Sequence, residues 1–353
     1  MDPTRGIELG PIHLEFVDVT DLAFPASLGG RQCGFNRPIF RGCRYHDLSP
    51  FVRARRTLVP SALAFKKVPD TPLKISTIRR YGIPPSQDGR GHSADLHVKG
   101  TYYDLDQFKK GKLSLTPLEI EELGDVKGKK LLHLQCHFGL DTLSWARLGA
   151  KVTGVDFSER AIFHAKTLSK ETGIKAIFLQ SNIYDLAQTA LKPESFDLAF
   201  SSYGAICWLH DLQKWAKLIA RYLKPGGFFY IADSHPTGLI FDDEEADQLS
   251  VRYPYFHNPK PLEFNEDGSY ADPSAKLENK TQFEWQHDLG EIINSLIDAG
   301  LQIEFLHEFP YICWKLLPFL QQKEDGWWHL PEKYRDKEVP LMFSLKAAKS
   351  KFL

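Results

Sequence analysis

What the chain lacks narrows it first. It has only five cysteines in 353 residues, Cys33, Cys43, Cys136, Cys207 and Cys313. No two form a CxxC pair, and none stands beside histidine at zinc spacing, so neither a disulfide framework nor a structural zinc finger is expected. A reducing, cytoplasmic setting follows as the natural expectation. No run of about 18 apolar residues occurs, and the first residues lack a basic-then-apolar leader, so neither a membrane span nor a secretory signal is expected. Net charge is also missing. Lys and Arg number 44 against 45 Asp and Glu, which gives no global reason to expect a nucleic-acid or membrane-surface binder.

That neutrality is a cancellation. Residues 1 to 90 hold 10 of the 22 prolines and 14 of the 44 basic residues, and their apolar positions follow neither period 2 nor period 3.6. This segment is expected to be a basic, proline-rich extension with little regular structure. Asp2, Glu8, Asp18 and Asp21 are the wrong residues for an organelle transit peptide. Residues 91 to 353 are expected to be one acidic domain.

Within that domain, strand and helix signals alternate. Thr116-Pro117-Leu118-Glu119 combines a cap, a proline at the first helical position and a glutamate three residues after the cap, which predicts a helix from 117 to Leu123 stopped by Gly124. Lys130–Leu134 reads as a strand, followed by a loop and a helix from Asp141 to Leu148. The pattern repeats with a strand at Lys151–Asp156, a helix capped by Ser158 and ending near Gly173, and strands at 176–180 and 196–201. A helix over 211–223 carries Leu212, Trp215, Ile219 and Leu223 on one face, Lys224-Pro225-Gly226-Gly227 breaks it, and a fifth strand runs 228–232. Residues 236–287 lose the rhythm and read as an insertion or lid, with one isolated strand near 280–285. A capping box at Asp288 and Glu291 opens a last helix whose buried stripe is Leu289, Ile292, Ile293, Leu296 and Ile297. Segments 301–309 and 339–347 complete a doubly wound α/β layer with a mainly parallel, seven-stranded sheet.

In such a sheet a ligand binds beyond the strand carboxyl ends, where the crossover direction switches. The loop after the first strand reads His133-Leu134-Gln135-Cys136-His137-Phe138-Gly139. Gly139 opens a helix whose free N–H groups favour an anion. Asp156 ends the next strand, 17 residues on, near the spacing that sets an acid on a ribose diol. A lone acid there has a second, lesser reading as a cap of the following helix, so the weight rests on its combination with Asn182 after the third strand and with Ser201-Ser202-Tyr203 after the fourth.

Taken in order, Leu131 to Gly139, Val155-Asp156-Phe157-Ser158, Ser181-Asn182-Ile183, Phe196-Asp197-Leu198-Ala199 and Leu223 to Gly227 resemble the motifs of class I S-adenosylmethionine-dependent methyltransferases, over residues 95 to 348. The resemblance implies a Rossmann-like methyltransferase fold and S-adenosyl-L-methionine as cofactor. It places Gln135, Cys136, His137 and Gly139 around the methionine end, Asp156 on the ribose hydroxyls and Phe157 against the adenine. Asn182 and Ile183 would address the adenine edge, and Ser201 the floor near the sulfonium. Gln135 and His137 stand where relatives usually carry glycine, and His133 replaces a frequent acid. The implied activity is methyl transfer to a small-molecule acceptor, with no nucleic acid and no membrane as partner.

The candidates for proton removal are His235 and Tyr203, with His210 as a third; Cys207 and Trp208 read as pocket wall. His133 and His137 straddle a strand end and are not a metal pair. Tyr253, Tyr255, Phe256, Trp285, Trp327 and Trp328 fit either a lid over an apolar acceptor or that lid's own core. The alternatives are a non-catalytic cofactor-binding protein of the same fold and a nicotinamide-dependent oxidoreductase. The latter is disfavoured because Gln135 and His137 replace glycines that pyrophosphate approach requires.

Overall fold

The computed structural model describes residues 94–265 and 281–351, apart from 96, 99, 101 and 102. The expectations for residues 1–90 fall outside these. The described helices are α1 (Leu105–Lys109), α2 (Pro117–Leu123), α3 (Leu140–Arg147), α4 (Glu159–Thr172), α5 (Leu212–Tyr222) and α6 (Leu289–Asp298). The main sheet uses β1 (Lys130–Leu134), β2 (Lys151–Asp156), β3 (Ile177–Gln180), β4 (Phe196–Ser201) and β5 (Leu223–Ser234). Two further strands, β8 (Leu301–Phe309) and β12 (Met342–Lys349), complete it. The order is β3-β2-β1-β4-β5-β12-β8, with β1 to β5 mutually parallel and β12 antiparallel to both neighbours. The sheet is therefore doubly wound, seven-stranded and mainly parallel, and its crossover direction reverses between β1 and β4.

Period-2 alternation explains why both faces are covered. Leu132 and Leu134 of β1, with Phe229 and Ile231 of β5, pack into a core built with Trp215, Ile219 and Tyr222 of α5 and Ile292 and Leu296 of α6. Leu131, Tyr230 and Ala232 face the other way, onto Leu123 of α2 and Trp145 of α3. The caps behave as their chemistry demands. Thr116 N donates to Glu119 Oε2 at 2.7 Å, Ser158 Oγ accepts from Ala161 N, and Asp288 Oδ1 accepts from Glu291 N.

Three expectations need correction. The Pro225-Gly226-Gly227 break does not delay β5, which runs from Leu223 with a register shift opposite Phe196/Leu198. Gly227 makes that possible, since a Cβ there would stand 2.9 Å from the Asp197 carbonyl. The strand near 280–285 is not isolated: β7 (Thr281–Glu284) pairs antiparallel with β6 (Leu262–Asn265). On α6, Ile297 is 49% exposed while Ser295 is buried, because five residues past Ile292 stand about 140° round a helix.

The aromatics of the tail form their own core. Trp314, Trp327 and Trp328 pack on Phe241, Ile312, Leu317, Leu320, Leu330 and Leu341, around short strands β9 (Tyr311–Ile312), β10 (Gln321–Gln322) and β11 (Trp328–His329). Phe256 by contrast is exposed. None of the described helices is long and apolar enough to cross a membrane.

Candidate functional site at the carboxyl edge of the sheet

The loop leaving β1 takes a backbone shape that its side chains resist. Gln135 and His137 adopt φ of 56° and 51°, left-handed values that place Cβ against the carbonyl oxygen at about 1–2 kcal/mol per residue. These are the two positions at which glycine would be usual, and tertiary contacts hold them. Gln135 Nε2 donates to Ala205 O at 2.7 Å, tying the β1 loop to the loop after β4. His137 N donates to Asp156 Oδ2 at 2.9 Å, and His137 Nε2 lies 3.2 Å from His97 Nδ1. Tyr103 and Phe138 complete an aromatic cluster around the two imidazoles. Burial holds His97 at a pKa of about 4 and His137 at about 3, so both rings are neutral near pH 7.

Gly139 is required twice over. Its φ is 82°, and a Cβ would stand 2.7 Å from the Phe178 ring on β3. Gly139→Ala is expected to lower stability by about 2–4 kcal/mol, from left-handed strain and overpacking together. Urea unfolding checks this, and a loss below about 1 kcal/mol would mean that the Phe178 ring swings aside without cost.

Asp156 is 8% exposed. Its Oδ1 accepts from Ser158 N and its Oδ2 from His137 N, both at 2.9 Å, so it caps the segment entering α4 and braces the β1 loop together. Ser181 N donates to the Asp156 carbonyl, bringing the Asn182 turn beside it. Asn182 is exposed, and its Oδ1 accepts from Tyr184 N, while Ile183 is buried. Ser201, at the end of β4, is fully buried. Its Oγ and Gln135 Oε1 are buried without a hydrogen-bond partner. Gln135, Cys136, His137, Gly139, Asp156 and Asn182 thus converge on the ends of β1, β2 and β3, and Ser201 on the neighbouring β4.

His235 faces elsewhere. Its Nδ1 accepts from Thr237 N at 3.0 Å, leaving the hydrogen on Nε2, which lies 2.9 Å from Glu308 Oε1 on β8. Nδ1 is engaged, while the buried Nε2 stands within ion-pair distance of Glu308 without hydrogen-bond geometry, and burial lowers the pKa of the ring against the opposing pull of Glu308. Tyr203 does lie at the β4 edge. Its hydroxyl is 3.4 Å from Thr116 Oγ1 at the start of α2, and burial, then the Glu119 charge, push its pKa up. Cys207 Sγ donates to Gly204 O, and His210 packs on Tyr184 and Trp285.

Two acids that the sequence reading passed over shape this edge. Asp233, at the end of β5, accepts backbone N–H bonds from Gly204 (2.6 Å), Ala205 (3.1 Å), Ile206 (3.2 Å) and Ser234 (2.7 Å). Burial pushes its pKa up, with those four donors opposing. The available signal was a charge ending the apolar run Phe228–Ala232. Asp141, two residues after Gly139, accepts from Ser114 Oγ at 2.6 Å and Ser202 Oγ at 3.2 Å. Ser202 Oγ lies 3.5 Å from Nε2 of His133, whose Nδ1 is 2.8 Å from Thr142 Oγ1.

Glu119 is 1% exposed, with Oε1 unpartnered. Burial first, then the charge on Asp141, push its pKa up to about 8. The folded protein therefore keeps a proton that the unfolded chain releases near 4.5, so this contribution to stability is present below 4.5 and lost as the pH rises through 8. Glu119→Gln keeps the acceptor for Thr116 N and is expected to gain about 1.4 kcal/mol on the wild type per pH unit between 5.5 and 7.5. Urea midpoints at both pH values test this, and a pH-independent difference would remove Glu119 as the titrating group.

Two surface depressions, of about 720 and 250 Å³, lie at the opposite edge, against the amino ends of β1, β2 and β4 and the start of β5. Their linings contain none of the residues gathered at the carboxyl edge.

Residues 132–231 match the family model described as a methyltransferase domain. A ubiquinone biosynthesis O-methyltransferase from Xanthomonas euvesicatoria is 29% identical over 143 residues, 40% of this chain and 59% of that one. One from Pseudomonas syringae is 30% identical over 124 residues, 35% and 52% of the respective chains. The chain therefore spans less than two thirds of these curated relatives. Among solved structures, an S-adenosylmethionine-dependent methyltransferase from Mesorhizobium loti aligns with a TM-score of 0.45 and 22% identity, over 66% of this chain and 96% of that one.

Proposed function

We propose that this chain, whose residues 132–231 match the model of a methyltransferase domain, is a class I S-adenosylmethionine-dependent enzyme that transfers a methyl group to a small-molecule acceptor. The observation that carries this reading is the meeting of the β1 loop, Asp156 and Ser201 at the point where the sheet reverses its crossover direction. The cofactor fits the residues present. Ser201 Oγ and Gln135 Oε1 are buried polar atoms without partners at adjacent strand ends, and the adenosyl group has its acid in Asp156.

In this reading Asp156 accepts from the ribose hydroxyls, Phe157 flanks the adenine, and Asn182 with Ile183 meets its edge. Gln135, Cys136, His137 and Gly139 surround the methionine end, with Ser201 beneath. His133 leaves the usual acid unsupplied, and Asp141 restores a carboxylate to the same edge through Ser202. We assign it to the cofactor's ammonium group. When bound, the cofactor supplies a methyl on a sulfonium, which already carries its leaving group. The protein's part is then to align the acceptor and exclude water.

Tyr203, with its pKa pushed up by burial and by Glu119, is a neutral phenol suited to orienting an acceptor by donating a hydrogen bond. His235, engaged by Thr237 and beside Glu308, is the weaker candidate for a base. The curated relatives are named for O-methylation, so a phenolic hydroxyl is the first acceptor class to offer. Partners in this reading are small molecules rather than nucleic acid, since the domain is acidic. A cytoplasmic location accords with the free thiols Cys136, Cys207 and Cys313.

The test is calorimetric binding of S-adenosylmethionine, followed by transfer from labelled cofactor to a panel of phenols, catechols and amines. Competition by nicotinamide dinucleotide in its place would overturn the reading. Tight cofactor binding without transfer to any acceptor favours the non-catalytic alternative.

A further inference from the structure

A second constellation of ligating atoms uses none of the residues assigned to the cofactor and is independent of the proposed reaction. His257 comes from the segment between β5 and β6, His287 immediately precedes the cap of α6, and Glu291 lies in the first turn of α6. One ligand atom from each gathers within 4.8 Å. His287 is buried, and its Nε2 lies 2.6 Å from Leu209 O. A carbonyl only accepts, so Nε2 carries the hydrogen and Nδ1 of the neutral ring is a lone pair. That lone pair faces Glu291 Oε2 at 2.8 Å, and the same oxygen is 3.6 Å from His257 Nδ1. The two imidazoles are stacked 4.8 Å apart at 13°. His257 Nδ1 also lies 3.0 Å from Gln286 O, another acceptor. Among the described residues no lysine or arginine pairs with Glu291.

His287 Nδ1 and Glu291 Oε2 set a lone pair against a carboxylate and call for a positive charge between them. His257 Nδ1–H donates to Gln286 O, and moving that hydrogen to Nε2 frees Nδ1 as a third ligand atom beside Glu291. A proton on His287 engages two of the three groups, whereas a divalent ion engages all three. Two imidazole nitrogens and one carboxylate form a known zinc donor set that leaves a fourth position for water. Separations of 2.8 and 3.6 Å bracket the roughly 3.3 Å between ligand atoms that each lie about 2.0–2.1 Å from a tetrahedral ion. His287 already has the outer partner that ligating histidines use, a carbonyl holding the remote N–H.

We propose that His257, His287 and Glu291 bind a zinc-class divalent cation that pins the segment after β5 to the start of α6, where His287 also meets Leu209 O of the loop after β4. The anchor points surround the same place: Trp285 N donates to Cys207 O and Trp285 Nε1 to Pro259 O. The role assigned is to tether the insertion to the start of α6.

The test uses the full, untagged chain stripped with a chelator and titrated with zinc chloride alone by calorimetry, with retained zinc counted by mass spectrometry after dialysis. About one zinc per chain is expected, with affinity at least about tenfold lower in His257→Ala and in Glu291→Gln. Both side chains are partly exposed, so these variants spare the buried His287–Leu209 contact, and circular dichroism is expected to be unchanged. Cobalt in place of zinc is expected to give the intense visible bands of a tetrahedral site in the wild type and to lose them in the variants. A wild type that binds no zinc overturns the proposal, as does stoichiometric zinc held equally tightly by both variants.

Discussion

Asp156→Ala is expected to weaken S-adenosylmethionine binding by about 100-fold or more. Two charge-assisted hydrogen bonds to a ribose diol contribute about 1.5–3 kcal/mol each, and each 1.4 kcal/mol is a factor of ten. The same substitution removes the acceptor for His137 N and Ser158 N, so stability falls too, and the measurements have to separate the two roles. Calorimetry on protein shown to be folded at the titration temperature reads affinity, and a thermal scan reads stability. Asp156→Asn keeps one acceptor oxygen and is expected to retain most of the melting temperature while still losing affinity. A variant that melts early yet binds the cofactor as tightly as the wild type would reduce Asp156 to a brace between the β1 loop and α4.

Asp233→Ala is expected to lower stability by about 4–6 kcal/mol, since a buried N–H without its acceptor costs about 1–3 kcal/mol and four lose theirs. For a domain of this size that corresponds to a fall in melting temperature of roughly 8–20 °C. The loss is local in origin. The turn 204–206 hangs on this carboxylate, and Ala205 O in turn receives Gln135 Nε2. Loosening the turn therefore frees Gln135 from its left-handed conformation, and cofactor affinity should fall in the folded fraction. Asp233→Asn sets an NH2 group against backbone donors and is expected to recover less than half of the loss. A melting temperature within about 2 °C of the wild type in the alanine variant would mean that water replaces the carboxylate without cost, and that the turn is held by other contacts.

Much of this molecule was legible before any coordinates. The helix at 117–123, the strands at 130–134, 151–156, 196–201 and 301–309, and the Ser158 and Asp288 caps all lie where periodicity and capping chemistry put them. Those signals are local, written within a few residues of the element they specify. That Gln135, Asp156, Asn182 and Ser201 share one edge was legible for a related reason: each lies at or just after a strand end, and strand ends of a doubly wound sheet meet at one edge. The early start of β5 was not legible, because it depends on how closely the glycines of 226–227 let the neighbouring backbone approach.

The order of elements, the doubly wound sheet and the residues gathered at its carboxyl edge were determined by the sequence by itself. Only the tertiary structure decided which groups there are already engaged. Asp233 finds Gly204 across 29 residues, Gln135 finds Ala205 across 70, and His287 finds Leu209 across 78. No sequence pattern encodes these pairings, because the partners meet only when the strands between them are in register. They leave His235 beside Glu308 of β8, Asp141 held by Ser114 and Ser202 next to His133, and ligand atoms of His257, His287 and Glu291 within 4.8 Å of one another.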